Sequence, residues 1–106
     1  MAKYLCKVSY SVEGAQGLIK DGGTARRTAV DQLLQSIGGK VESFYFALGD
    51  EDGYLICDIP DEISAAALSI RVAAIGGARV KTVQLLTPAQ IDQAVKKSVT
   101  YRAPGK

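Results

Sequence analysis

An α+β fold, a four-stranded antiparallel sheet with helices on one face, follows from three observations on this sequence. The first is a hairpin in the middle of the chain. Lys40 to Leu48 and Tyr54 to Ile59 are rich in aromatic and β-branched residues, and Gly49-Asp50-Glu51-Asp52-Gly53 between them is a bend of glycine and acid, so the two runs read as paired strands. Pro60 ends the pairing, because it has no N–H to give to a neighbouring strand. The second observation is that a strand and a helical region precede the hairpin. The third is that a helix and a strand follow it. The order β-α-β-β-α-β is the ferredoxin-like pattern, whose sheet runs 4-1-3-2. Residues 1–106 make one domain. A chain of this size buries roughly two-thirds of its extended surface, enough for one modest core.

Lys3 to Ser11 is the first strand, with Tyr4, Cys6, Val8 and Tyr10 on one side and Leu5, Lys7 and Ser9 on the other. Val12 to Lys20 allows a helical turn or two, weakened by Gly14 and Gly17, and Asp21-Gly22-Gly23 breaks it. A full helix is expected from Ala25 to Ile37, capped by Thr24 and closed by Gly38-Gly39, with Ala29, Val30, Leu33, Leu34 and Ile37 as its buried stripe. In the second strand Val41, Ser43, Tyr45 and Ala47 alternate with Glu42, Phe44, Phe46 and Leu48. The second set, from Phe44 on, reads as the core side. The third strand is apolar on both sides until Asp58, which asks for cover on both faces. Asp61 caps a second helix from Glu62 to Ile75, with Ile63, Ala66, Ala67, Ile70, Ala73 and Ala74 expected inside and Gly76-Gly77 at its end. Ala78 to Leu86 is the fourth strand. Thr87-Pro88-Ala89-Gln90 then combines a cap, a proline at the first helical position and a glutamine three residues after the cap, which starts a helix running to Lys97. Ser98 to Lys106 reads as loose.

Apolar residues make up 47% of the chain and charged ones 23%, ordinary values for a globular protein. The net charge of +2 gives no global reason to bind nucleic acid or a membrane. No apolar run approaches the ~20 residues of a membrane helix. Met1-Ala2-Lys3-Tyr4 enters a strand with no leader layout, and Cys6 and Cys57 are too few for a disulfide scaffold, so the cytoplasm is the expected compartment. The charge is unevenly placed. Residues 41–62 hold seven of the 11 acidic residues and no Lys or Arg. The acidic turn is either a solvated bend or a contact for a cation or a partner.

With the chain laid out, the sequence resembles the GYD-domain family of small bacterial and archaeal proteins along nearly its whole length. The matching pieces are Gly17-Leu18-Ile19-Lys20-Asp21-Gly22-Gly23-Thr24-Ala25-Arg26-Arg27, Phe44-Tyr45-Phe46-Ala47-Leu48-Gly49, Asp58-Ile59-Pro60-Asp61 and Leu85-Leu86-Thr87-Pro88. The eponymous Gly-x-Tyr-Asp turn stands here as Gly49-Asp50-Glu51-Asp52, with Glu51 in place of the tyrosine, so a role of that tyrosine does not carry over. The resemblance implies a ferredoxin-like fold similar to dimeric α/β-barrel proteins, and little about activity. A shared fold is a weak guide to function.

The residue inventory excludes several chemistries. With no histidine, there is no His-ligated haem, no His-rich zinc or iron site and no histidine base. No Gly-x-x-x-x-Gly-Lys-Ser/Thr or Gly-x-Gly-x-x-Gly phosphate loop occurs. RNA-recognition modules on this fold use aromatics on the central strands, but the Lys/Arg-Gly-Phe type of signature is missing, so no nucleic acid partner is expected. No metal and no cofactor are expected either, and no catalytic residue can be named.

Three groups could still carry function. Lys20, Gly22, Gly23, Thr24, Arg26 and Arg27 lie where a helix starts. Free N–H groups and the helix dipole favour an anion there. Arginines in a first turn are unfavourable against that dipole unless something negative is near. The arginines are solvated, paired with Asp50-Glu51-Asp52, or holding a ligand anion. Tyr4, Tyr10, Tyr45 and Tyr54 lie on strands and either line a pocket between sheet and helices or pack in a core or interface. Cys6 and Cys57 sit on neighbouring strands. They are an inert buried pair or, if on one face, a redox or soft-metal pair. Val41, Tyr45, Tyr54 and Ile56 on the sheet face away from the helices form an apolar patch, from which at least a dimer packed sheet to sheet is expected. Two readings remain: an oligomeric binder of a small ligand, an anion among the candidates, or a cofactor-free enzyme, and an assembly module with no small-molecule chemistry.

Overall fold

The computed structural model describes residues 1–106. Its elements are β1 (Ala2–Tyr10), α1 (Val12–Ser36), β2 (Lys40–Phe46), β3 (Gly53–Ile59), α2 (Glu62–Ile75), β4 (Ala78–Leu85) and α3 (Pro88–Ala94). All strand pairs are antiparallel and the sheet runs β2-β3-β1-β4, the expected 4-1-3-2 order read from the other edge. α1 and α2 cover one face. The core between them and the sheet holds Tyr4, Cys6 and Val8 of β1, Leu55, Cys57 and Ile59 of β3, Val30 and Leu34 of α1, and Ala65 and Leu68 of α2.

Four expectations need correction. Val41 does not lie on the open face. A β-bulge leaves Glu42 unpaired, because Val41 opposes Cys57 while Ser43 opposes Ile56. The extra residue reverses the side-chain alternation. Val41, Phe44 and Phe46 therefore share the helix side, and Tyr45 remains outside. Leu48 lies beyond the strand and is fully exposed rather than in the core.

α2 is turned the other way from its expected orientation. Ala65, Leu68 and Val72 face the sheet, whereas Ile63, Ala66, Ala67, Ile70, Ala73 and Ala74 are exposed. Both sides of this helix are apolar, so periodicity alone cannot choose between them.

The first helix begins at Val12, and its cap is Ser11, whose hydroxyl accepts the Gly14 N–H at 3.2 Å. The expected break is a kink at one residue, Gly22, with φ 84° and ψ 170°. That positive φ is a conformation that suits glycine. Thr24 lies past the kink inside the second half of α1, with its carbonyl accepting from Thr28 Oγ1, so it is not the cap.

Asp61 and Thr87 cap α2 and α3 as expected, the latter with a complete capping box. No helix is long and apolar enough to cross a membrane.

Candidate functional site

The kink at Gly22 creates the site. The second half of α1 packs on the sheet through Val30 and Leu34. The first half departs at Gly22 and is pinned at its far end to the loop after α2. There Ser11 N–H donates to the Gly77 carbonyl at 2.9 Å, and Gly14 lies so close that a β-carbon would stand 1.9 Å from the same oxygen. A helix held at its start and bent at Gly22 leaves a space beneath it. This is a pocket of about 360 Å³, open to solvent. Gly14, Gly17, Leu18 and Asp21 form its roof. Arg26, Ala29 and Leu33 form one wall, Val72, Ile75, Gly76 and Gly77 the opposite wall, and Tyr10 and Ala78 the floor.

Two polar atoms in these walls stand out. Tyr10 Oη and Arg26 Nε are both shut off from solvent, and no protein group accepts a hydrogen bond from either. The two groups are neighbours: the charge of the Arg26 guanidinium and its proximity to the phenol oxygen both act on Tyr10. Burial raises the pKa of the Tyr10 phenol, with the Arg26 charge opposing that shift. At neutral pH Tyr10 is therefore a hydrogen-bond donor, not a base. Arg26 can only donate. The pocket has a neutral phenol and a guanidinium side by side in a lining that is otherwise largely apolar.

The remaining candidate residues lie elsewhere. Of the six around the helix start, Gly22 and Arg26 line the pocket. Lys20 and Thr24 point to solvent, Arg27 pairs with Asp31 at 3.1 Å, and the ring of Phe46 covers Gly23. Of the four tyrosines only Tyr10 reaches the pocket. Tyr4 is in the core, and Tyr45 and Tyr54 oppose each other on the open face of the sheet. Gly14, Gly17, Val72 and Gly76-Gly77 are site residues that the sequence reading missed. Two glycines within one helical segment were the available signal, since a helix keeps such residues where something approaches closely or a space is kept open.

The acidic turn serves a different purpose. It folds back over the end of β1, where Glu51 is only 8% exposed. Ser9 Oγ donates to its carboxylate at 2.7 Å and Lys81 Nζ stands at 3.2 Å. These two contacts hold the Glu51 carboxyl below its ordinary pKa. Asp52 accepts the Tyr10 backbone N–H at 2.8 Å. The turn thereby braces the strand that carries Tyr10, and its carboxylates form no ion pair with Arg26 or Arg27.

Cys6 and Cys57 do share a face, with their sulfurs 3.7 Å apart, both fully buried and free. The contact with Cys6 and burial raise the pKa of Cys57 well above the ordinary thiol range. No three His, Cys, Asp or Glu side chains converge.

The family model for the GYD domain matches residues 4–95. The chain belongs to the GYD domain family. The match takes in every element from β1 to α3, and with them Tyr10, Gly22 and Arg26. No curated protein matches the chain. At Glu51 this GYD domain carries a buried, ion-paired carboxylate.

Proposed function

We propose that this GYD domain binds a small organic anion, a carboxylate or phosphate head on an apolar body, in the pocket under the kinked helix. The observation that carries this reading is the Arg26 guanidinium beside the neutral Tyr10 phenol in a pocket otherwise lined largely by Leu18, Ala29, Leu33, Val72 and Ile75. About 360 Å³ falls in the lower range of small-molecule sites. A neutral phenol beside a guanidinium supports binding rather than proton abstraction. The active species is a cytoplasmic oligomer, at least a dimer, joined through the open sheet face where Tyr45 and Tyr54 meet and Val83 of β4 is also exposed. That exposed patch also motivates the second reading, an assembly module without a ligand.

Native mass spectrometry and thermal shift with benzoate, hexanoate and inorganic phosphate test the ligand. A ligand that binds only the folded state stabilises it by RT ln(1 + [L]/Kd), about 2.7 kcal/mol at 100 times Kd. The parent should gain this stability, Arg26→Ala and Tyr10→Phe should lose most of the gain, and Gly17→Leu, which fills the pocket, should lose all of it. Equal gains in the parent and in Gly17→Leu would place the anion elsewhere and sink the proposal.

A further inference from the structure

α2 is apolar on both sides. Its inner side is packed on the sheet. The centre of its outer side, Ile63, Ala66, Ala67, Ile70 and Ala74, is uncharged and stands in solvent between Glu62 and Arg71 at its edges, with Ile63 78% and Ile70 69% exposed. A surface helix ordinarily presents polar residues there, and a helix apolar all round is a buried one. Residues 86–106 are the second uncovered segment. α3 buries none of its residues, and Leu86, Ile91, Val95 and Val99 are exposed. A helix of seven residues is far shorter than the ~12–15 that persist alone in water. This arm extends the molecule to 58 Å and its radius of gyration to 17.0 Å, where a compact chain of this length has about 13 Å.

We infer that α3 of one copy packs on the outer face of α2 of a second copy. Chain geometry selects the second copy. Only Leu86 and Thr87 separate β4 from α3, and two residues span at most about 7 Å. To reach the outer side of its own α2, α3 would have to climb over a helix about 10–12 Å across. The arm of another molecule meets no such limit. The surfaces also match in kind. Alanines at 66, 67 and 74 let another helix approach closely, and Ile91 and Val95, four residues apart, present one apolar ridge to them. This contact is separate from the sheet-to-sheet pairing, and the two together give an assembly larger than a dimer.

Light scattering on the full chain, on a chain ended after Leu86, and on Ile70→Glu and Val95→Glu tests the contact. Both substituted side chains are exposed, so circular dichroism should show the fold intact. The expected result is that all three variants lose the same step in mass, whereas Tyr45→Glu with Tyr54→Glu removes a different step and leaves the arm contact in place. A second measurement mixes the single variants Ile70→Cys and Val95→Cys under mild oxidation, where a disulfide between chains is expected. Masses unchanged by truncation and by Ile70→Glu would overturn the inference. So would the absence of any disulfide between chains in that mixture.

Discussion

Gly14 and Gly17 stand three residues apart in the same half of α1, and replacing each with alanine should have opposite effects. In a helix interior alanine is favoured over glycine by about 1 kcal/mol. Nothing lies within 4 Å of a β-carbon added at Gly17, because that position looks into the pocket. Gly17→Ala should therefore keep the gain of about 1 kcal/mol. At Gly14 the added carbon would stand 1.9 Å from the Gly77 carbonyl oxygen and 2.8 Å from its carbon. Both are backbone atoms, and the same oxygen already accepts the Ser11 N–H at 2.9 Å. Relieving the overlap means prising the start of α1 from the loop after α2. Overpacking of this kind costs about 1–3 kcal/mol, and a weakened hydrogen bond adds about 0.5–1.5 kcal/mol. After subtracting the helix gain, Gly14→Ala should be about 0.5–3.5 kcal/mol less stable than the parent. Urea unfolding followed by circular dichroism measures both variants, with the slope against urea expected to stay unchanged. An equal gain in stability for the two variants would refute the close approach of Gly14 to Gly77, and with it the account of how the pocket is held open.

Leu34→Ala should cost about 2–5 kcal/mol, because Leu34 is 1% exposed and its removal leaves a cavity between α1 and the sheet; a smaller loss in denaturant unfolding would mean that α1 is less tightly docked. Stability should fall as the pH drops through and below 4.5, the ordinary carboxyl value for Glu51, because the folded chain holds this carboxyl at a lower pKa and the unfolded chain therefore binds more protons in that range. In Glu51→Gln the acid limb should be shallower, and a limb identical to that of the parent would exclude Glu51 as its source. Cys6 and Cys57, both buried, should resist a thiol reagent in the native protein and react together on unfolding; fast native labelling of either would show an opening of the sheet-helix core that the structure lacks.

The order and type of every element were legible in the sequence, because they rest on local chemistry. Gly and Asp bend the hairpin, Pro60 ends a strand, Asp61 and Thr87 cap helices, and apolar residues recur at the period of a strand or a helix. The sheet order followed, since few connections suit that order of elements. The sequence also marked Tyr10, Gly22 and Arg26, though among ten candidates of which the pocket uses only these three. What tertiary structure decided was which side of each element is covered. One unpaired residue, Glu42, carries Val41 into the core, and no local pattern announces it. α2 has two apolar sides, and its inner side is the one that meets β4, where Ser69 and Thr82 also share a hydrogen bond at 3.1 Å. The pocket arises from contacts far apart in the chain, Ser11 and Gly14 on Gly77, and Asp52 bracing Tyr10. Local propensity sets the conformation of each segment, but a face is buried only by what packs against it, and that is a property of the assembled chain.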